Sequence, residues 1–122
     1  MVQGRIPQKG DIWHFDPDPV FGRELKGKHY CIVVTDGALN AALGVAMCCP
    51  ISTVANQARS TGVTVTVTPM DTERGDIRGV VLCHQVQAVD LLARGAAFET
   101  VAEDTLIQEV VFKLINLIDP QY

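Results

Sequence analysis

The stretch GVTVTVTP, Gly62 to Pro69, alternates valine and threonine without a break. Successive side chains on a strand point to opposite faces, so Val63, Val65 and Val67 share one face and Thr64, Thr66 and Thr68 the other. A helix would scatter both sets around its circumference. The pattern therefore demands a half-exposed antiparallel strand, apolar towards a core and polar towards water. A fold that contains it needs partner strands and something apolar to cover the valines.

The rest of the chain supplies both. Ile12 to Phe15 reads as a first strand, opened by KGD and closed by DPDP, whose two prolines forbid further pairing. Asp16 to Lys28 is then a long loop, and loops of that length are often functional. Tyr30 to Val34 and Val45 to Ile51 are apolar strands, separated by TDGALNAALG, a turn with a short helical piece. Asn56 to Thr61 is a second polar loop, and Pro69 to Arg78 a charged turn. GVVLCHQV, Gly79 to Val86, reads as one strand, QAVDLLARG as a short excursion, and Ala96 to Val101 as a last strand.

A helix closes the chain. Thr100 and Glu103 have the spacing of a capping box. Leu106, Val110, Leu114 and Leu117 form one stripe, with Ile107, Val111, Ile115 and Ile118 beside it, and Asp119-Pro120 ends the run. The stripe is wide enough to pack on the sheet and leave one edge for a partner subunit. The 122 residues suit a single domain, 1–122, of α+β class: a small, strongly curved antiparallel sheet or half-open barrel with a C-terminal helix.

Composition narrows the setting. An apolar fraction of 48% and a charged fraction of 20% are ordinary for a globular protein. No apolar run is long enough to span a membrane, and the N-terminus has no apolar signal core, so a cytoplasmic protein without a membrane partner is expected. Cys31, Cys48, Cys49 and Cys83 form no C-x-x-C pair, which argues against zinc and thioredoxin-type chemistry and for buried reduced thiols. The net charge of −4 lies entirely after Phe98, where Glu99, Glu103, Asp104, Glu109 and Asp119 face only Lys113. The body before it is balanced and free to present a local basic surface.

The motifs KGDIW, DPDP, G-R-E-L-K-G, IVVT, CPIST, GVVLCHQV and VDLLARGA, in that order, resemble the MazF/PemK (Kid) family, the toxins of bacterial toxin–antitoxin pairs. The resemblance runs from about Lys9 to Ile118. It implies a curved sheet of the Src-homology type, shared with the gyrase poison CcdB, and a homodimer. It implies an endoribonuclease, independent of metal or other cofactor, that cuts single-stranded mRNA at short sequences. It also implies a cognate antitoxin whose disordered tail silences the toxin by occupying its groove.

Metal-free RNA cleavage uses the substrate's 2′-hydroxyl as nucleophile, which excludes DNA. A base must take the 2′-proton, an acid must protonate the leaving 5′-oxygen, and donors must hold the growing charge on phosphate. The resemblance assigns this work to the loop from Gly22 to His29 and to the Ser52-Thr53 turn. Glu24 stands at the family's motif glutamate, and Ser52 and Thr53 at its hydroxyl pair. Three departures matter. The histidine before the motif glutamate in Kid-type relatives is Arg23 here. Relatives open the following strand with Arg-Pro, where this chain has His29-Tyr30. Kid-type relatives carry R-C-D-Q, where this chain has Leu82-Cys83-His84-Gln85.

The Arg-Pro arginine and the aspartate are replaced by His29 and His84, histidines that titrate near neutrality, and the R-C-D-Q arginine by Leu82. The expected catalytic set is thus Glu24, His29, Ser52, Thr53 and His84. The expected RNA-binding set is Arg23, Lys26, Lys28, Arg59, Arg78 and Gln85, with Phe21 as a stacking platform; Arg74 also flanks the groove. His14 and Trp13 are expected to be structural. Two other functions fit the same residues: a non-enzymatic poison or binding module on this fold, and one half of a repressor complex with the antitoxin.

Overall fold

The computed structural model describes residues 5–53 and 62–120. Among these residues seven strands and two α-helices follow one another: β1 (Asp11–Phe15), β2 (His29–Val33), α1 (Gly37–Leu43), β3 (Ala46–Ser52), β4 (Thr64–Val67), β5 (Gly79–Leu82), β6 (Gln87–Val89), β7 (Ala97–Val101) and α2 (Asp104–Ile118). The sheet is antiparallel and open, ordered β4-β5-β3-β2-β1-β7, with β6 also paired to β3. The α+β class and the curved sheet with a closing helix are as the sequence predicts. The loop from Asn56 to Thr61, with Arg59, lies outside the described residues.

Alternation fixes which side chains meet. Ile12, Ile32, Cys49 and Ile51 face one core with Val65, Val67 and Val81, while Trp13, Cys31, Val33 and Cys48 face a second core with Val89 and Leu91. Adjacent residues thus feed opposite layers, and the sheet curls enough to cover both. The first core is closed by α2, which buries Leu106, Ile107, Val110 and Leu114. Each such side chain contributes roughly 1.5–3 kcal/mol through burial. Phe112, Ile115 and Ile118 stay exposed on the outer side of α2. All four cysteines are free and buried.

Three expectations change. Gly79 to Val86 is not one strand: β5 stops at Leu82, Cys83–Gln85 form a 3-10 turn, and β6 resumes at Gln87. Both segments pair with β3, β5 at Ile51–Ser52 and β6 at Ala46–Cys48. The break falls beside Cys49 and Pro50, and proline has no N–H to give a ladder. The capping box at Thr100 is also absent. Thr100 lies in β7, where its hydroxyl accepts from the Arg74 amide, and Glu103 is the N-cap without a side-chain bond. Finally, β2 begins at His29, so the histidine belongs to the strand and not to the loop before it.

Gly79 marks a close crossing. A Cβ there would overlap the Ser52 carbonyl, so β5 can lie this close to the end of β3 only without a side chain.

Candidate active site

The long loop between β1 and β2 folds back towards the 3-10 turn and leaves a cleft of about 260 Å³. Glu24, His29, His84 and Gln85 line it together, with Pro17, Val20, Leu25, Pro50, Val86 and Gln87. Four residues expected at the site, drawn from three separated segments, are therefore neighbours in space. His29 comes from the first residue of β2, Glu24 from the loop, and His84 and Gln85 from the turn.

His29 is half-buried and closely held. Its ring stands edge-on to Phe15, with centroids 5.1 Å apart. Its Nδ1 lies 2.9 Å from the Tyr30 carbonyl oxygen. A carbonyl only accepts, so Nδ1 carries the proton and the lone pair of the neutral ring is on Nε2. Burial lowers its pKa below the ordinary histidine value, against the opposing pull of the Tyr30 carbonyl. The ring is thus neutral, oriented and equipped to accept a proton near pH 7.

His84 is exposed at the mouth of the turn, while the preceding Cys83 is buried. The opposite exposure of these two residues arises from a turn and not from strand alternation. Gln85 has both ends of its amide engaged. Its Oε1 accepts from Leu25 N at 2.9 Å, and its Nε2 donates to Arg23 O at 3.1 Å. Glu24 is exposed and makes no ion pair with Arg23 or Lys26 among the described residues.

Other expected residues lie elsewhere. Ser52 is only 2% exposed at the end of β3 and does not line the cleft, whereas Thr53 is exposed just beyond it. Neither hydroxyl of the expected Ser52-Thr53 pair is among the residues that line the cleft. Arg23, Lys26, Lys28 and Arg78 are exposed but outside the lining. Phe21 is exposed to 73% on the same loop, a large apolar ring left in water. Arg74 pairs with Asp76 at 3.1 Å and Glu99 at 2.9 Å, so its charge is already matched. Trp13 is buried in the core as expected, and His14 packs edge-on to Tyr30.

Pro17, Val20, Leu25, Pro50, Val86 and Gln87 escaped sequence reasoning as cleft residues. Loop length singled out the segment holding Pro17 and Val20 but not the residues that turn inward. Pro50 carried one signal, a proline inside an apolar strand, which marks a break in pairing. Among the described residues no group of three or more His, Cys, Asp or Glu side chains is arranged to hold a metal ion, and no helix is long and apolar enough to cross a membrane.

Residues 8–118 match the family described as the PemK-like, MazF-like toxin of type II toxin–antitoxin systems. The endoribonuclease toxin ChpB of Escherichia coli is 34% identical over 120 residues, covering 98% of this chain and 100% of its own length. Endoribonuclease PemK of Escherichia coli is 28% identical over 111 residues, covering 91% of this chain and 81% of its own. In shape, the chain is similar to crystalline MazF from Deinococcus radiodurans, with a TM-score of 0.80 at 24% identity over 94% of this chain and 98% of that one. It is similar also to MazF in a MazE–MazF complex from the same organism, with a TM-score of 0.75 at 21% identity over 96% and 100% of the two chains.

Proposed function

The chain belongs to the PemK-like, MazF-like toxin family of type II toxin–antitoxin systems, and from that premise we propose that it is a metal-independent endoribonuclease acting on single-stranded mRNA. Two relatives named as endoribonucleases support the activity. The observation that carries the mechanism is His29, a neutral imidazole whose Nδ1 is tied to the Tyr30 carbonyl in a cleft shared with Glu24 and His84.

His29 Nε2 takes the proton from the substrate 2′-hydroxyl. The 2′-oxygen attacks phosphorus, the bond from phosphorus to the 5′-oxygen breaks, and His84 as general acid gives a proton to the departing 5′-oxygen. The products are a 2′,3′-cyclic phosphate and a 5′-hydroxyl. Afterwards water returns a proton to His84 and removes one from His29. Glu24 stabilises the imidazolium that forms in the cleft. Arg23, Lys26 and Lys28 on the exposed loop attract the phosphate backbone, Thr53 offers a hydroxyl to a phosphate oxygen, and Phe21 provides a face for a base. Arg78 extends the basic rim.

The toxin is one half of a pair with an antitoxin, in keeping with the solved MazE–MazF complexes of the same fold. A disordered, acidic antitoxin tail would compete with RNA for the basic loop. A second copy of this chain covers the exposed apolar side of α2 at Phe112, Ile115 and Ile118.

Incubation with a long RNA in excess chelator tests the activity. Cleavage leaving cyclic-phosphate ends, abolished by a single 2′-deoxy nucleotide at the cut site, is expected. Tight RNA binding without cleavage would instead favour a non-catalytic binding module.

A further inference from the structure

The loop between β1 and β2 makes few ties to distant parts of the chain among the described residues. Arg94 Nη1 reaches the Asp18 carbonyl at 3.4 Å, too long to fix much. Within the loop, Glu24 N donates to Phe21 O at 3.3 Å. The shorter long-range bonds both come from Gln85, and they fall on Arg23 and Leu25, the two residues that flank Glu24.

A primary amide presents a donor and an acceptor at the same end. It therefore docks on a backbone segment as one rung of a strand would. Gln85 itself is firmly rooted. Its turn begins at Cys83, which has no exposed surface, and it is bracketed by β5 and β6, both paired to β3. The stiffness of the sheet is carried through one side chain to the middle of an otherwise loosely held loop.

We propose that Gln85 is a positioning residue that holds the Glu24 loop over the cleft and so sets where the Glu24 carboxylate stands relative to His29 and His84. Its effect on rate rests on the endoribonuclease activity argued above, but the positioning itself can be read without RNA. This role differs from direct contact with substrate, for which the amide keeps one further N–H and one further lone pair beyond those the loop engages.

Two variants of the full chain separate these roles. Gln85→Met keeps length and bulk and removes both hydrogen-bonding ends. Gln85→Glu, when ionised, sets a carboxylate oxygen against the Arg23 carbonyl; when protonated, it restores the original donor and acceptor. In Gln85→Met, exchange of the Leu25 amide measured by NMR should accelerate about tenfold or more, from the loss of two hydrogen bonds, with β2 amides unchanged. RNA cleavage should lose roughly 10- to 100-fold in kcat at nearly constant KM, the signature of a misplaced group. The loss should largely vanish in a Glu24→Ala background. The activity of Gln85→Glu relative to wild type should rise as pH falls towards about 4.3, while that of Gln85→Met stays flat.

Unchanged Leu25 exchange in Gln85→Met would overturn the proposal. So would a loss confined to KM, or an undiminished loss without Glu24. If the wild-type chain cleaves no RNA, the endoribonuclease activity falls, and Leu25 exchange alone decides whether Gln85 holds the loop.

Discussion

The two walls of the cleft are built on different principles. One wall, His29 and Pro50, belongs to β2 and β3, which are paired to each other and anchored in both cores. The other wall, Glu24 and His84, stands on a loop and a 3-10 turn. On the strand wall, backbone register places the side chain, and the histidine is oriented by its neighbour's carbonyl and by Phe15. On the loop wall, the Glu24 segment is held by the Gln85 side chain reaching across from the rooted 3-10 turn that carries His84. A rigid wall suits the proton-accepting role proposed for His29. A lighter wall can move when a bulky nucleotide enters.

The contrast can be broken or sharpened by experiment. The largest effect is expected at His29: His29→Ala should lower cleavage by about two to four orders of magnitude, measured as single-turnover rates on a defined RNA. His84→Ala should fall in the same range, and full activity there would leave the loop wall without its acid. Next, the strand wall should be inseparable from stability. Ile51, fully buried in β3, should cost about 2–5 kcal/mol on replacement by alanine, seen in urea unfolding.

The pH dependence gives a further separation. Burial holds the folded pKa of His29 below its unfolded value of about 6.5. Between the two values the unfolded chain binds more protons. Stability from the neutral ring is therefore present above about pH 6.5 and lost as pH falls through the lower, folded value. The acid limb of kcat/KM should likewise lie below 6.5 in wild type. An acid limb above 6.5 would remove His29 from the role of base. The smallest effect is expected on the loop wall: Glu24→Ala should change unfolding free energy by less than about 0.5 kcal/mol, and a larger loss would make that wall as structural as the other.

Sequence patterns revealed the strand wall better than the loop wall, for a physical reason. Alternation and apolar runs encode which face a strand residue takes, so β1, β3, β4 and β7 fall within a residue of their expected places. The closing helix and its buried stripe follow from periodicity in the same way. What a local pattern cannot encode is pairing between segments far apart. Gly79 to Val86 reads as one strand because every residue but His84 and Gln85 is apolar or glycine; the interruption falls where β3 passes through Cys49 and Pro50. Ser52 reads as an available hydroxyl, and the folded chain leaves it only 2% exposed and outside the cleft lining. Thr100 and Glu103 have the letters of a capping box, but β7 claims Thr100 first. Gln85 appeared as a groove residue with no sign that Arg23 and Leu25 lay within its reach. Resemblance to the family brought Glu24, His29 and His84 forward, and the fold brought them together.

The four cysteines have a practical consequence. All are free and lie inside the two cores, so a water-soluble thiol reagent meets none of them while the chain is folded. The rate of modification becomes a built-in clock for opening of the sheet. A single cysteine placed on the Phe21 loop can then take a fluorophore without removal of the native thiols, and motion of the light wall can be watched while the clock reports on the heavy one.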